Sequence, residues 1–246
     1  MVPAHIWTPW YSLLGARSGY VSPKECLGPL TRFVPALETG LSSDPEMCRR
    51  VSSLDAFGLI SSSDAHSPES IGREATEFDI DPSFKAIFDA VRPGAAGMLS
   101  TVEFFPESGK YHASGHKICG PLGIGERGPC PVCGRQTTEG VSARIAELAD
   151  RPVGVPDRPF VKLMPLASVL AALTGAGAGS VGVRKLRDKL ISAYGPELRI
   201  LRDISTAEID IPECPTLPHA LDILREGKAA VSPGYDGVYG KIGFGF

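Results

Sequence analysis

The chain has 246 residues, enough for one large or two modest domains. Hydrophobic content of 43% and charged content of 22% are those of a soluble globular protein, and Arg or Lys interrupts every apolar run before it is long enough to cross a bilayer. A net charge of −3 excludes a protein that coats nucleic acid with its whole surface but leaves room for a local basic face.

Twenty-eight glycines and 22 prolines predict a loop-rich chain. The N-terminus MVPAHIWTPWYSLLGAR lacks a basic leader and a cleavage site, so no signal peptide is expected and the compartment is read as the cytoplasm. Of the six cysteines, Cys119, Cys130 and Cys133 cluster, which in a reducing compartment points to metal before disulfide.

In chain order, SPKECLG carries a capping box, with Ser22 as cap, Pro23 at the first helical position, Glu25 three residues on and Gly28 as the stop. VPALETG (34–40) reads as a buried strand running into a loop. DPEMCRRVSSLDAFG predicts a helix capped by Asp44, with Met47, Val51 and Leu54 at helical spacing. FGLIS (57–61) is the next strand. DPSFKAIFDAVRPG predicts a helix capped by Asp81 with Phe84, Ile87, Phe88 and Val91 on one face, and MLSTVEFF (98–105) a further strand. The alternation implies parallel βα units. From Pro106 to about Thr137 turn residues and cysteines dominate; residues 138–226 are mostly helical, and the glycine-rich tail ends in a short strand. TGAGAGSVG (174–182) follows a helix instead of a strand, so it reads as a linker and not a phosphate loop.

Asp64 and His66 follow an apolar strand. Two residues apart on extended chain, their side chains face one side, a mixed O/N pair suited to Zn, Mn or Fe. The alternative is a turn-capping Asp beside a surface His. His5 in MVPAH and Glu38 in ALETG stand at other strand ends; alone, one reads as a core histidine and the other as a loop acid. Together the three ends supply groups that can converge where parallel-barrel enzymes place their chemistry.

These stretches also resemble a known family. VPAHIWTPW, ALETGLSSDP, SSSDAHSP…GREA, TVEFFPESGKYHASGHKIC, CPVCG and PGYDGVYGK, in this order, look like the endonuclease Q family, whose members carry a PHP-type phosphoesterase domain. The resemblance covers essentially the whole chain. It implies an α/β fold: the back part of a distorted PHP-type β/α barrel (1–105), a small zinc module (106–137) and a mainly helical C-terminal region (138–246). It also implies a hydrolase that nicks DNA 5′ of uracil, hypoxanthine, xanthine or an abasic site, using a divalent metal cluster (Zn, Mn or Mg). His5, Asp64 and His66 would be cluster ligands, Asp64, His66 and Glu38 the catalytic set, and deaminated DNA the partner. A complete PHP cluster also needs an N-terminal His-x-His. None of the five histidines (5, 66, 112, 116, 219) forms one, and Met1 falls just before the PAH motif. The chain is therefore expected to be an N-terminally truncated member with impaired activity. A non-catalytic zinc-containing DNA-binding remnant and a PHP-type small-molecule phosphatase are the other readings; the zinc module and long C-terminal region argue against the phosphatase.

The zinc module reads directly from the residues. His116, Cys119, Cys130 and Cys133 form H-x2-C-x10-C-x2-C, two short-spaced pairs suited to a closed tetrahedral site, with His112 as rival fourth ligand. For DNA contact, Arg184, Lys185, Arg187, Lys189, Arg199 and Arg202 outnumber Asp188 and Glu197 in one stretch, and Arg73 stands near the DAH loop. Trp7, Trp10 and Phe105 are the aromatics that could stack on an extruded base, though strand-end aromatics are more often core.

Overall fold

The computed structural model describes residues 1–246. The chain divides into two compact units, Met1–Val161 with Pro233–Gly240, and Lys162–Ser232 with Lys241–Phe246.

In the first unit, helix α1 (Pro23–Leu27) forms as its capping box requires: Ser22 Oγ accepts from the Glu25 amide at 3.2 Å, the Glu25 carboxylate accepts from the Val21 amide, and Gly28 at φ 51° ends the turn. Strand β1 (Ala36–Glu38) is buried throughout and pairs in parallel with β2 (Gly58–Ile60), in the register Ala36↔Gly58, Leu37↔Leu59, Glu38↔Ile60. This register makes the ETG turn and the SSSDAH segment leave the pair side by side. A Cβ on Gly58 would fall 1.8 Å from the Val91 carbonyl, so only glycine fits there.

The helix expected after Asp44 is much shorter. Asp44 does cap it, accepting from the Met47 amide at 2.8 Å, but α2 spans only Pro45–Cys48. The Arg49 side chain turns inward and donates to the Leu54 and Phe57 carbonyls at 2.7 and 2.9 Å, and to Asp157 at 2.9 Å. Beyond Cys48 the backbone closes three-residue turns instead of a helical ladder, with the Val51 amide on the Cys48 carbonyl, Leu54 on Val51 and Phe57 on Leu54, each at 3.1 Å. Met47, Val51 and Leu54 still pack on the core around Leu14, Leu37 and Ile145.

The parallel βα alternation does not continue. The strand β3 (Ala75–Phe78), not anticipated from the sequence, pairs antiparallel with β4 (Met98–Phe104). Between them, α3 (Phe84–Ala90) is capped by Ser83, which accepts from the Ala86 amide at 3.1 Å, and not by Asp81. Its expected core face is largely open: Phe84 is 84% exposed and stacks on Phe88, while only Val91 of the four is buried. The sheets are short and do not close into a barrel within the unit.

A small antiparallel ribbon, β5 (Gly115–His116) with β6 (Gly120–Pro121), opens the cysteine-rich segment. Helix α4 (Val141–Leu148) follows and sends Val141 and Ile145 into the core. Its buried Arg144 donates to the Leu14 carbonyl at 2.9 Å and the Tyr20 carbonyl at 2.7 Å, and pairs with Glu147 at 2.7 Å, holding the loop that follows the N-terminal segment. Residues 233–240 return to the cysteine-rich segment, where Asp236 accepts from the Lys117 amide at 2.7 Å and the Thr138 hydroxyl at 2.6 Å.

Strand β7 (Phe160–Leu163) carries the chain into the second unit. There α5 (Leu166–Thr174), α6 (Val181–Tyr194) and α7 (Leu217–Arg225) bury Leu166, Leu170, Leu190, Leu217 and Leu221. Gly175 in the left-handed region ends α5 and Ser180 caps α6, so the glycine run is a connection, as its context implied. The hairpin β8 (Ala230–Ser232) with β9 (Lys241–Gly243) supplies the expected terminal strand. No helix is long and apolar enough to cross a membrane.

Arg144→Met leaves two carbonyls without their charged donor, so unfolding in urea should show a loss of about 2–3 kcal/mol relative to the native chain. A change within error would mean that Arg144 does not hold the loop.

Candidate functional site

The end of the parallel pair gathers three of the groups singled out from the sequence. The chain at Pro3–Ile6 runs beside β1: the Glu38 amide donates to the Pro3 carbonyl at 3.1 Å and the Ile6 amide to the Glu38 carbonyl at 3.2 Å. The buried Glu38 carboxylate accepts the His5 amide in a short hydrogen bond. Gly40, at φ 74°, lies against His5, and a Cβ on it would come within 2.8 Å of the His5 Cβ; the glycine of ETG is what lets the histidine approach. Burial pushes the Glu38 carboxyl up, the His5 amide and charge pull it down, Asp64 pushes it up, and the Ser62 hydroxyl lowers it. The Ser62 hydroxyl and the Asp64 charge thus act on the same carboxylate that holds the His5 amide.

His5 and Asp64 both have left-handed backbones, φ 32° and 45°, which non-glycine residues seldom adopt and which collect at functional sites. The Asp64 turn is held from outside: Arg73 Nε donates to the Ser63 carbonyl at 2.7 Å and its Nη2 to the Asp64 carbonyl at 3.1 Å. His66 is exposed, and its Nδ1 lies 2.9 Å from the Asp64 carbonyl. A carbonyl only accepts, so Nδ1 carries the proton and Nε2 keeps the lone pair. The Thr8 hydroxyl stands 3.1 Å from His5 Nδ1 and 3.1 Å from the Trp10 carbonyl. With its proton on that carbonyl it accepts from Nδ1–H, and in that neutral tautomer His5 Nε2 keeps the lone pair. Histidines oriented through Nδ1 with a free Nε2, beside carboxylates, are the donor set that divalent metals use.

A second acidic pair behind this corner was not foreseen. The β3–β4 register, continued one step past Ala75↔Val102, sets Glu74 opposite Glu103, and both are buried. Glu74 accepts the Phe104 amide at 2.9 Å, and Glu103 accepts the Thr39 hydroxyl at 3.0 Å. Glu74 Oε2 and Glu103 Oε1 have no partner. Burial first, then the neighbouring Glu103 charge, pushes Glu74 well above the usual carboxylate range; burial pushes Glu103 up to about 7 against the opposing influence of the nearby Thr101 and Thr39 hydroxyls. The signal was an acid in an otherwise apolar strand, TVEFF, which periodicity treats as noise.

The cysteine-rich segment forms a second site. His116, Cys119, Cys130 and Cys133 bring their donor atoms within 4.8 Å of one another, with His116 Nδ1 at 3.2 Å from Cys119 Sγ and 3.5 Å from Cys133 Sγ. Gly120 and Gly134, at φ 111° and 70°, turn the chain after each pair. Cys119 is raised to about 11, first by desolvation and then by the two other thiols, whereas Cys130 is lowered chiefly by the Cys133 amide. Three sulfurs and one ring nitrogen this close are a donor set that could hold a metal such as zinc. His112 is outside it: the ring is buried, with Nδ1 at 3.2 Å from the Ser42 carbonyl.

A PHP-associated family model matches residues 56–96. Along 99% of its length the chain superposes on the lesion-specific endonuclease PfuEndoQ of Pyrococcus furiosus, with a TM-score of 0.85 and 31% identity, covering 62% of that chain. It superposes equally, at a TM-score of 0.86 and 31% identity, on endonuclease Q in complex with a 27-mer duplex carrying an abasic lesion at the active site. The chain is endonuclease Q-like, with a PHP-type α/β fold and a helical C-terminal part. Two curated relatives are uncharacterized proteins, YqxK of Bacillus subtilis (32% identity over 98% of this chain and 60% of that one) and MJ0043 of Methanocaldococcus jannaschii (30% over 97% and 31%). The chain thus spans about three fifths or less of these relatives.

In this endonuclease Q-like chain the other sequence-based assignments fare unequally. Trp7 is 1% exposed and donates its indole N–H to Cys48 Sγ at 3.2 Å, and Phe105 is buried too; both are core residues that a base cannot reach. Trp10 is half open, edge-on to Tyr111 at 5.5 Å. Arg73 spends its Nε and Nη2 on the DAH loop, with Nη1 at 3.4 Å from the Tyr239 hydroxyl, so it shapes the Asp64 turn. Of the basic stretch, Lys189 pairs with Glu213, Arg187 with Asp188 and Arg202 with Asp203, while Arg184 and Lys185 are exposed.

The raised carboxyls mean that the folded chain holds protons that the unfolded chain releases from about the usual 4.5 upward. Their contribution to stability is complete below that value and is lost as pH rises through about 7. Urea unfolding should therefore show lower stability at pH 8 than at pH 5, and Glu103→Gln should flatten the dependence. An unchanged slope in the variant would show that Glu103 is not the source.

Proposed function

We propose that the chain takes part in metal-dependent cleavage of damaged DNA, nicking 5′ of a deaminated base (uracil, hypoxanthine or xanthine) or an abasic site. The observation that carries this reading is the convergence of His5, Glu38 and Asp64 at the end of the parallel pair, in a chain similar throughout to a lesion-specific endonuclease. His5, Asp64 and His66 would hold divalent metal (Zn, Mn or Mg) through Nε2 and carboxylate oxygens. Glu38 fixes the His5 backbone from beneath, and Arg73 fixes the Asp64 turn. Metal bound there supplies Lewis acidity for a water and neutralises charge on the phosphate. The chain's own part is to orient these donors before substrate arrives, which is where the strained backbones at His5 and Asp64 find their use.

The quartet is proposed to take zinc as a structural ion. It ties the segment after β4 to α4 and to Asp236, in a stretch too rich in turns to hold itself by a core of its own.

Two measurements check this. Metal analysis should find about one tightly held zinc per chain, lost in His116→Ala and kept in His112→Ala; loss in the second variant alone would reassign the ligand. In binding and nicking assays with manganese or magnesium present, duplexes containing uracil or hypoxanthine should be preferred over undamaged DNA, and Asp64→Asn should abolish any nick. Equal affinity for damaged and undamaged DNA, with no nick, would overturn the reading.

A further inference from the structure

Tyr11 belongs to none of the groups above, and its situation is unusual in three ways. It is 101% exposed, as open as a side chain can be. Its backbone is left-handed at φ 54°, a conformation that bulky L residues rarely adopt. And it borders, with Ser12, Leu13, Tyr20 and Cys26, an open cleft of about 640 Å³ that also contains His5.

The loop that presents Tyr11 is tightly built. Thr8 links His5 Nδ1 to the Trp10 carbonyl, the residue just before Tyr11. Ser12 Oγ, just after it, donates to the Thr8 carbonyl at 2.6 Å and accepts from the Gly15 amide at 3.0 Å. The Leu14 amide donates to the Ile6 carbonyl at 2.8 Å. A Cβ on Gly15 would fall 1.8 Å from the Thr8 carbonyl, so the loop closes only with glycine there. A chain that satisfies its turns this thoroughly and still holds a large aromatic in solvent on a disfavoured backbone is displaying that ring. An exposed aromatic on a braced loop is a group that stacks on an unstacked base whatever its identity, and a cleft of this size admits a nucleobase.

We propose that Tyr11 is the platform on which an unstacked DNA base rests in the cleft beside His5. This rests on the damaged-DNA reading above. It assigns the stacking role to the display of Tyr11, and not to Trp7, which is core.

The test is a uracil-containing duplex with 2-aminopurine opposite the lesion, added to the full chain, with fluorescence reporting unstacking and anisotropy reporting binding. The native chain should raise the fluorescence on binding. Tyr11→Phe should retain the rise, and Tyr11→Ala should lose it together with about tenfold in preference for the damaged duplex. Tyr11→Gly, which relieves the backbone conformation without a ring, should behave as Tyr11→Ala, separating loss of the ring from loss of loop shape. If the native chain binds no DNA, the damaged-DNA reading falls and the stacking role with it. If it binds and discriminates, and Tyr11→Ala raises the fluorescence as the native chain does, the Tyr11 assignment alone is overturned.

Discussion

The hydrogen bond from the His5 amide to the Glu38 carboxylate is the contact around which the candidate site is arranged. A buried carboxylate must find donors, and this one takes a backbone amide from a segment thirty-three residues earlier. That choice draws the PAH segment against β1 and holds His5 at positive φ. It also makes Gly40 obligatory, since any side chain there would occupy the space of His5. The ETG turn is thus one unit: the acid grips, the threonine anchors backward and the glycine yields room.

The anchoring leads to the buried acids. Thr39 passes its hydroxyl to Glu103, which faces Glu74 across β3 and β4. Glu74 points into the protein while its neighbour Arg73 points out to clasp the Asp64 carbonyl, the alternation that extended chain imposes on adjacent residues. Inner carboxyls whose proton affinity burial raises, and outer groups holding loops by their carbonyls, support the same corner from two sides. The left-handed backbones at His5 and Asp64 persist because the surrounding bonds over-determine them.

The cysteine-rich segment has a different economy. It has little apolar substance, and its order comes from the close quartet of donors, from glycine turns, and from the returning residues 233–240, whose Asp236 caps Lys117 and Thr138. PGYDG, in the glycine-rich tail, is therefore part of the first unit. The helices of the second unit follow ordinary amphipathic rules and need no such devices.

Local signals were legible wherever the physics is local. Ser22 and Asp44 cap helices because a side-chain oxygen satisfies an amide three residues away, and the four C-terminal helices follow apolar spacing. The metal quartet was readable because its ligands lie within eighteen residues at fixed spacing. What only the tertiary structure decided depends on partners distant in sequence: the early end of α2 at buried Arg49, the antiparallel β3, the open face of α3, the burial of Trp7 and the display of Tyr11. In the same way, the motifs supplied His5, Glu38 and Asp64 as separate residues, but their meeting at one corner follows from the register of two three-residue strands. Spacing specifies which donors a chain owns; register and burial determine which of them face one another.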